Sequence, residues 1–299
     1  RVVGVEIEGG ETIDASAVII ADGGFQADRE LIGHHITGSP DSLRQRNTET
    51  GRGDGIRMAI AVGAETVGLD KFYGHVLSRD ALTNEDLWPY PQLDVICAKG
   101  IVVTTDGRRF ADEGQGGIYV TNAIAALDDP LSATVVFDRT VWEDAREADI
   151  VPPNPSLMNN GGTVLDADTL DELAGAAGID AGGLKRTVNE YNELIRAGSA
   201  PELSPPRTTQ TFPAHTIDKA PFYAIPLCAG ITVTSGGIAV DGQARVLAEN
   251  GNVIEGLYAA GSAVGGLEGG PRGGYVGGLI KAFGIGRLAG RSVAGKLSG

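Results

Sequence analysis

The residues most suggestive of chemistry lie in a glycine-dense loop near the C-terminus, between Gly265 and Gly278. An apolar helical pattern follows this loop from Ile280 to Leu297. Because glycine has no Cβ, its backbone can approach a flat ligand closely. The N-terminus of a helix offers N–H groups to an electron-rich ring edge. This combination suits a flavin ring and predicts redox chemistry.

Two side chains of the glycine loop could take part in a reaction. Arg272 could grip an acidic group, because a guanidinium donates two parallel hydrogen bonds to a carboxylate. A salt bridge or an exposed position is the alternative for Arg272. Tyr275, three residues later, could move a proton or polarise a ketone beside a flavin. The alternative for Tyr275 is an aromatic side chain that only packs on the ring.

These residues must be positioned by the strands and helices that the rest of the pattern predicts. Residues 17–21 form a continuous apolar run, typical of a buried strand, and an Asp-Gly-Gly turn follows at 22–24. Glycine-rich strand patterns resume after Pro221. Residues 70–215 differ, since they hold both tryptophans, several prolines and fewer glycines. The sequence therefore predicts an α/β fold, α+β overall, with an inserted domain.

Several local elements are predicted as well. Residues 56–62 form a helical pattern that Asp54 could cap. Two amphipathic helices are predicted at 168–178 and 183–197. The segment 191–206 is predicted to be a flexible connector.

Composition excludes several classes of protein. The chain has 299 residues and a formal net charge of −15, which disfavours binding to nucleic acid or to anionic membranes. Cys97 and Cys228 are too few for a disulfide framework, so we expect a reducing, cytoplasmic location. No apolar run is long enough for a membrane span, and no Cys/His spacing fits a metal such as zinc.

Two glycine patterns resemble a dinucleotide fingerprint only superficially. They lie at 51–55 and 284–287. Neither follows a strand in a βαβ unit with an acidic residue about twenty positions further on, as the fingerprint requires. The second pattern falls inside a predicted helix, where glycine more often permits close packing.

Six segments, in this order, resemble the flavoprotein family of fumarate reductases, succinate dehydrogenases and 3-ketosteroid dehydrogenases. They cover nearly the whole chain and lie at 18–25, 50–55, 107–113, 221–224, 235–237 and 256–261. The resemblance implies a small-molecule substrate and FAD bound on a Rossmann-like domain, with a capping domain that closes over the flavin.

The resemblance also implies domain limits and a set of cofactor residues. Residues 1–69 and 216–299 correspond to a partial Rossmann-like FAD-binding domain, and residues 70–215 correspond to an α+β capping domain. The implied FAD-binding residues are Ala21, Asp22, Gly23, Gly24, Gly53, Asp54, Gly236, Gly261, Ser262, Gly277, Gly278 and Leu279.

The first residues read as a strand, a Gly9-Gly10 turn and a return strand. In the family, a Gly-x-Gly-x-x-Gly βαβ unit that holds the FAD pyrophosphate precedes such a hairpin, and residues 1–13 contain no such unit. We therefore expect an N-terminal segment, or a separate chain that carries it, to be missing.

The family's substrate positions carry unusual residues here. The position of the arginine that donates a proton from the cap falls on Trp142, and that of the carboxylate-clamping arginine falls on Tyr275. A usual histidine is replaced by Val233 and a usual glutamate by Ser262. Residues 275–279 instead resemble the Tyr-Val-Ser-Gly-Leu of ketosteroid Δ4-(5α)-dehydrogenases, with Gly277 in place of serine. These replacements disfavour fumarate as the substrate.

Other candidate catalytic residues lie in or near the inserted domain. His75 matches the histidine of a Gln-x-His motif and could polarise a carbonyl, either as neutral imidazole or when protonated; a hydrogen-bonded structural histidine is the alternative. Tyr73 and Tyr119 are candidates for a second tyrosine. Glu113 could belong to a proton path or could pair with a neighbouring arginine.

The resemblance therefore implies an FAD-dependent oxidoreductase that adds or removes hydrogens across a C–C bond next to a carbonyl. The expected substrate is an apolar ketone, similar to a 3-ketosteroid or a cyclic ketone, with an unknown electron acceptor. One alternative is a fumarate/succinate-type enzyme with Arg272 as its carboxylate clamp. The other is an incomplete, non-catalytic fragment that serves as a binding or assembly module.

Overall fold

The computed structural model describes residues 1–147 and 150–297, and the chain divides into two compact units. The first unit comprises Arg1–Ile36, Asn47–Tyr73 and the chain from Thr232 onward. The second comprises Thr37–Arg46 and Gly74–Ile231. The domain limits and roles expected from the sequence stay predictions. No helix of the described residues is long and apolar enough to cross a membrane.

Both helices and strands are found throughout the described residues, which confirms the mixed fold class. In chain order the elements are β1 (Gly4–Glu6), β2 (Thr12–Asp14), β3 (Val18–Ile20), α1 (Arg29–His35), β4 (Leu43–Gln45), α2 (Asp54–Ala61), β5 (Thr66–Val67), β6 (Phe72–Ser78), α3 (Asp94–Lys99), β7 (Ile101–Val103), α4 (Gly117–Ala125), β8 (Thr134–Asp138), α5 (Arg139–Asp144), α6 (Pro153–Asn159), β9 (Leu165–Ala167), α7 (Leu170–Ala177), α8 (Ala181–Ala197), β10 (Phe222–Thr234), β11 (Gly237–Ile238), β12 (Arg245–Leu247), β13 (Val253–Ala259) and α9 (Gly278–Leu297).

A three-stranded sheet with the order β12-β13-β3 lies in the first unit. β13 runs parallel to β3, with Tyr258 opposite Ile19, and antiparallel to β12. β3 is therefore an edge strand of this sheet. The predicted N-terminal hairpin is confirmed, because β1 and β2 pair antiparallel with Glu6 opposite Thr12.

The second unit is built on a six-stranded sheet in which β10 is the central strand. Along the order β4-β10-β8-β7, β10 is parallel to β4 and antiparallel to β8, which is antiparallel to β7. β9 also pairs antiparallel with β10, and β6 pairs with it too. Every residue of β8 is buried, as expected for a strand inside a core.

Helix α8 shows how the sequence pattern builds the core of this unit. Asp180 caps the helix by accepting a hydrogen bond from the Gly183 N–H at 2.6 Å, and Gly198, at φ +73°, ends it in the left-handed conformation. Leu184, Val188 and Tyr191 lie on the buried face. The prediction of a flexible connector at 191–206 was wrong for residues 191–197, because they form the last two turns of α8.

The start of α2 also differs from the sequence prediction. The helix begins at Asp54, and its N-cap is Gly53, which has a φ of +74° and no side chain to offer. Asp54 is thus the first helical residue and not the cap. The carboxylate of Asp22 takes over part of this task, since its Oδ2 accepts a hydrogen bond from the Gly55 N–H at 2.7 Å.

Candidate functional site

The glycine loop of the first unit is an ordered turn that leads directly into α9. Gly269 and Gly274 exchange two main-chain hydrogen bonds of 2.8 Å each, so the residues between them form a miniature hairpin. Arg272 lies at the exposed tip of this hairpin. Among the described residues, no ion pair partner is found for its guanidinium.

A buried ion pair ties the two ends of this loop together. Lys281 Nζ lies 2.9 Å from Glu268 Oε2, and the two side chains are only 0% and 2% exposed. The other oxygen of Glu268 accepts a hydrogen bond from the Val276 N–H at 3.3 Å. The charged pair thus connects the start of the loop to its end and to the first turn of α9.

The structure brings two of the candidate tyrosines together. The rings of Tyr73 and Tyr275 stack with centroids 3.7 Å apart and planes inclined by 15°. Tyr275 Oη accepts a hydrogen bond of 2.7 Å from the Gly278 N–H, the first amide of α9. The phenolic oxygen therefore accepts from one of the helix N–H groups that the sequence predicts to face a ring edge. Tyr275 is 37% exposed.

The strand β3 ends at a second cluster of candidate residues. Gly23 has a φ of +102°, and a Cβ added there would meet nothing within 4 Å, so the backbone is open at this point. At Gly24, by contrast, a Cβ would overlap the Thr234 hydroxyl, which accepts a hydrogen bond of 3.1 Å from the Phe25 N–H. Protein packing alone explains why residue 24 is glycine.

In the second unit, His75 is held by a carboxylate. Its Nδ1 lies 2.7 Å from Oδ2 of Asp94, the first residue of α3. The other carboxylate oxygen accepts a hydrogen bond of 2.8 Å from the Val76 N–H. Tyr119 is half-buried on α4. His75 is thus one member of a carboxylate–imidazole pair.

Two positions that the sequence analysis relates to proton transfer are part of the second unit's interior. Trp142 is only 7% exposed and lies against Tyr223, with ring centroids 5.6 Å apart. Glu113 is fully buried and accepts hydrogen bonds from Arg109 at 2.5 and 3.0 Å and from the Val102 N–H at 3.0 Å. Pairing with an arginine is thus the arrangement found for Glu113.

A second arginine and a tyrosine complete the cluster around Glu113. Arg207 Nε lies 3.9 Å from Glu113 Oε2, and the Arg109 guanidinium lies 5.6 Å from the centre of the Tyr191 ring. Burial, and then the negative charge of Glu113, raise the pKa of Tyr191 to about 12. Main-chain carbonyl groups accept further hydrogen bonds from both arginines, that of Pro205 from Arg109 and that of Ala98 from Arg207, so this cluster is part of the packed interior of the second unit.

Comparison with protein families identifies the chain. The model of the FAD binding domain family matches residues 1–277, which is most of the sequence. The chain belongs to this family. FAD is therefore its cofactor, as the glycine loop and the six segments predicted.

Curated relatives of this FAD binding domain are named as oxidoreductases. The chain is 31% identical to 4-oxocyclohexanecarboxylate 2-dehydrogenase of Sinomonas cyclohexanicum over all of its own length and 55% of that protein. It is 31% identical to NADH:acrylate oxidoreductase of Vibrio harveyi over 93% of its own length and 26% of that protein. The chain thus spans about half, or less, of the length of these relatives.

Solved structures share the fold. A flavocytochrome c3 fumarate reductase in its open conformation is 27% identical with a TM-score of 0.58, over 96% of this chain and 47% of the other. The 3-ketosteroid Δ1-dehydrogenase of Sterolibacterium denitrificans has a TM-score of 0.70 at 24% identity, over 99% of this chain and 57% of the other.

The residues of the first unit fit the ring portion of FAD. A Cβ added at Gly277, at φ +105°, would come no closer than 3.4 Å to a neighbouring side chain, that of Ile280. Gly261, at φ +65°, is similarly open. The first turn of α9 presents further N–H groups at Leu279 and Ile280 beside the one taken by Tyr275. Gly236 is different, because a Cβ there would overlap the backbone of Gly68. Its lack of a side chain serves protein packing.

Sequence reasoning missed three residues that shape these candidate sites: Asp94, Glu268 and Lys281. Nothing in the sequence links Asp94 to His75, which lies 19 positions earlier and across a loop. A signal did exist for Lys281, because a lysine in the apolar run Leu279–Phe283 needs a buried partner or an exposed helix face.

Proposed function

We propose that the protein is an FAD-dependent oxidoreductase that adds or removes hydrogens across a C–C bond adjacent to a carbonyl, on an apolar ketone. The observation that carries this proposal is the stacked pair of Tyr73 and Tyr275 at the N-terminus of α9, inside an FAD binding domain. A dicarboxylate enzyme would need a cation where this pair stands. The relative named for 4-oxocyclohexanecarboxylate supports the ring ketone of this substrate class, although that compound also carries a charged carboxylate group.

FAD, when bound, supplies the ring atom that accepts or returns the hydride. Tyr275 Oη would hold or take the proton on the carbon next to the carbonyl, and the Gly278 N–H would stabilise negative charge on that oxygen. Tyr73 would keep the Tyr275 ring in its orientation by stacking. For the second unit, we propose that His75 polarises a carbonyl group, with Tyr119 as a further candidate.

We propose that the cofactor residues implied by the family resemblance hold FAD. Gly23, Gly261 and Gly277 are the best supported, since their backbones are open and have positive φ. Gly24, Gly53 and Gly236 are less direct candidates, because neighbouring protein atoms already account for the absence of a Cβ. The remaining candidates are Ala21, Asp22, Asp54, Ser262, Gly278 and Leu279.

We also propose that a further segment or a separate chain completes the first unit. Leu279, Ile280 and Phe283 on α9 are 75%, 67% and 73% exposed, and β3 is an edge strand of the sheet in the same unit. Apolar side chains grouped on one helix face normally contact protein. We also propose a cytoplasmic location, which is supported by Cys97 and Cys228, since both are buried and free of a disulfide.

The first experiment tests the substrate class. The purified flavoprotein is mixed without oxygen with 4-oxocyclohexanecarboxylate, a 3-ketosteroid or succinate, and the loss of flavin absorbance is followed. We expect a ketone to reduce the flavin. We expect Tyr275→Phe to slow this step by roughly 10²–10⁴-fold, the usual contribution of a general acid or base. Tyr90→Phe, which alters a tyrosine between two prolines, is the matched control.

Each outcome of this experiment has one meaning. Unchanged flavin reduction in Tyr275→Phe would remove the proton-transfer role from Tyr275. If the protein shows no flavin spectrum even together with the further segment or chain proposed above, the enzyme proposal is overturned. A binding or assembly module is then favoured.

A carboxylate reductase is the second candidate, because Arg272 is exposed at the tip of the glycine hairpin and one relative is named as an acrylate oxidoreductase. The test compares fumarate reduction in Arg272→Ala and in Arg287→Ala, which removes an exposed arginine further along α9. Turnover of fumarate that is lost only in Arg272→Ala would overturn the ketone proposal.

A further inference from the structure

We propose that Asp94 is a positioning residue for His75: it orients the imidazole ring and keeps a proton on Nδ1. The inference rests on the proposed function, in which His75 polarises a carbonyl. It concerns a residue that neither the sequence motifs nor the names of the relatives point to.

Asp94 uses both of its oxygens on two consecutive residues of β6. Oδ2 lies 2.7 Å from His75 Nδ1, and Oδ1 accepts the Val76 N–H at 2.8 Å. The residue before Asp94 is tied to the same strand, because the Leu93 N–H donates to the Val76 carbonyl oxygen at 2.9 Å. The carboxylate is thus fixed relative to the strand that carries the histidine.

Helix α4 is shaped to accept this carboxylate. A Cβ on Gly117, the first residue of α4, would overlap the carboxyl group of Asp94. One turn later, Thr121 Oγ1 donates a hydrogen bond of 3.1 Å to the carbonyl oxygen of His75. Gly117 leaves room for the carboxyl group and Thr121 binds the histidine backbone, so α4 supports both members of the pair.

The pairing restricts what His75 can do. An ionised carboxylate only accepts hydrogen bonds, so the bond to Asp94 requires the proton on Nδ1. A neutral ring in this arrangement presents a lone pair at Nε2, and only the protonated ring donates from Nε2. With the proton on Nδ1 held by Asp94, His75 can polarise a carbonyl from Nε2 only when that nitrogen carries a second ring proton.

The test reads the proton position directly in the purified flavoprotein. Histidine is labelled with ¹⁵N, and long-range ¹H–¹⁵N spectra report which ring nitrogens of His75 carry a proton; His75→Gln assigns the signal among the four histidines of the chain. We expect Nδ1 to be protonated in the unmodified protein. An asparagine at position 94 has a single acceptor oxygen for two donors, His75 Nδ1 and the Val76 N–H. Asp94→Asn should therefore populate the form of His75 that carries its proton on Nε2.

Kinetics in the same proteins separate this inference from the proposed function. We expect Asp94→Asn to lower kcat by roughly 10²-fold, the lower end of a general acid–base contribution, with little change in KM. The matched control is Asp80→Asn, since Asp80 also accepts a main-chain N–H, that of Thr163 at 2.6 Å, but is not bonded to a histidine among the described residues.

The two measurements fail in different ways. An Nδ1 without a proton in the unmodified protein, or an unchanged proton position in Asp94→Asn, would overturn the role of Asp94 whatever the activity. Full turnover in His75→Gln would overturn the role of His75 in the proposed function. Should Asp94→Asn not fold, the spectrum of the unmodified protein still decides the inference.

Discussion

The two units hold their candidate reactive side chains by different means. In the first unit, Tyr275 rests on backbone and ring contacts: its hydroxyl accepts the Gly278 N–H, and its ring stacks on Tyr73. In the second unit, His75 is held by the charged side chain of Asp94. The placement of the tyrosine therefore depends on the shape of a loop, whereas that of the histidine depends on one carboxylate.

The charged groups are distributed accordingly. The buried pair of Glu268 and Lys281 braces the glycine loop at its two ends, and the contact nearest Tyr275 is the bond from Glu268 to the Val276 main chain. In the second unit, the Asp94 carboxylate contacts the imidazole of His75 directly. The charged groups of the first unit thus support the main chain of the loop, whereas the carboxylate of the second unit contacts the candidate side chain itself.

The largest effect is expected from breaking the ion pair of the first unit. Lys281→Met leaves Glu268 buried without its cation, which should lower the free energy of unfolding by about 3–5 kcal/mol. Replacing both residues, with Glu268→Leu and Lys281→Met together, should cost less. Chemical denaturation of the unmodified protein, the single variant and the double variant measures the free energy of unfolding of each. A single variant as stable as the double variant would show that the loop is not braced by this pair.

An intermediate effect is expected where the second unit packs around its carboxylate. Gly117→Ala places a methyl group against Asp94 and should cost about 1–3 kcal/mol of stability, as overpacking does. Gly175→Ala is the control, since a Cβ in that position of α7 meets nothing within 4 Å; it should stabilise by about 0.5–1 kcal/mol. Thermal unfolding compares them, and equal midpoints would mean that α4 does not confine Asp94.

The smallest effect is expected at the stacked tyrosines. Tyr73→Leu removes the ring contact with Tyr275, which is worth about 0.5–1.5 kcal/mol, whereas Tyr73→Phe keeps it. Flavin reduction by a ketone should follow the same order, because the orientation of Tyr275 is lost only in the first variant. A Tyr73→Phe protein as slow as Tyr73→Leu would assign a chemical role to the Tyr73 hydroxyl instead.

The sequence predicted those parts of the fold that local signals determine. The apolar run of β3, the Gly9-Gly10 turn and the glycine loop that opens α9 are all recognisable within a few residues. The caps of helices were harder to predict from the sequence. Gly53 caps α2 through its left-handed backbone, and Asp22, more than thirty residues earlier, supplies the carboxylate that accepts the Gly55 N–H.

The candidate sites could be predicted only in part, for a related reason. Tyr275 and Tyr73 were identifiable by type and by family resemblance, but their stacking joins residues 73 and 275 and follows from the tertiary fold. Asp94 and Glu268 carry no motif at all. Carboxylates are common on a surface, and only the burial of their partners marks these two as supports.

The miniature hairpin between Gly269 and Gly274 also sets the entropic cost of binding at its tip. Its main chain is already ordered by two hydrogen bonds, while the side chain of Arg272 projects into solvent. An anion bound by Arg272 would therefore restrict the torsions of one side chain, at a cost of up to about 2 kcal/mol, without having to order a loop. Removing either main-chain bond would add the backbone entropy of several residues to that cost.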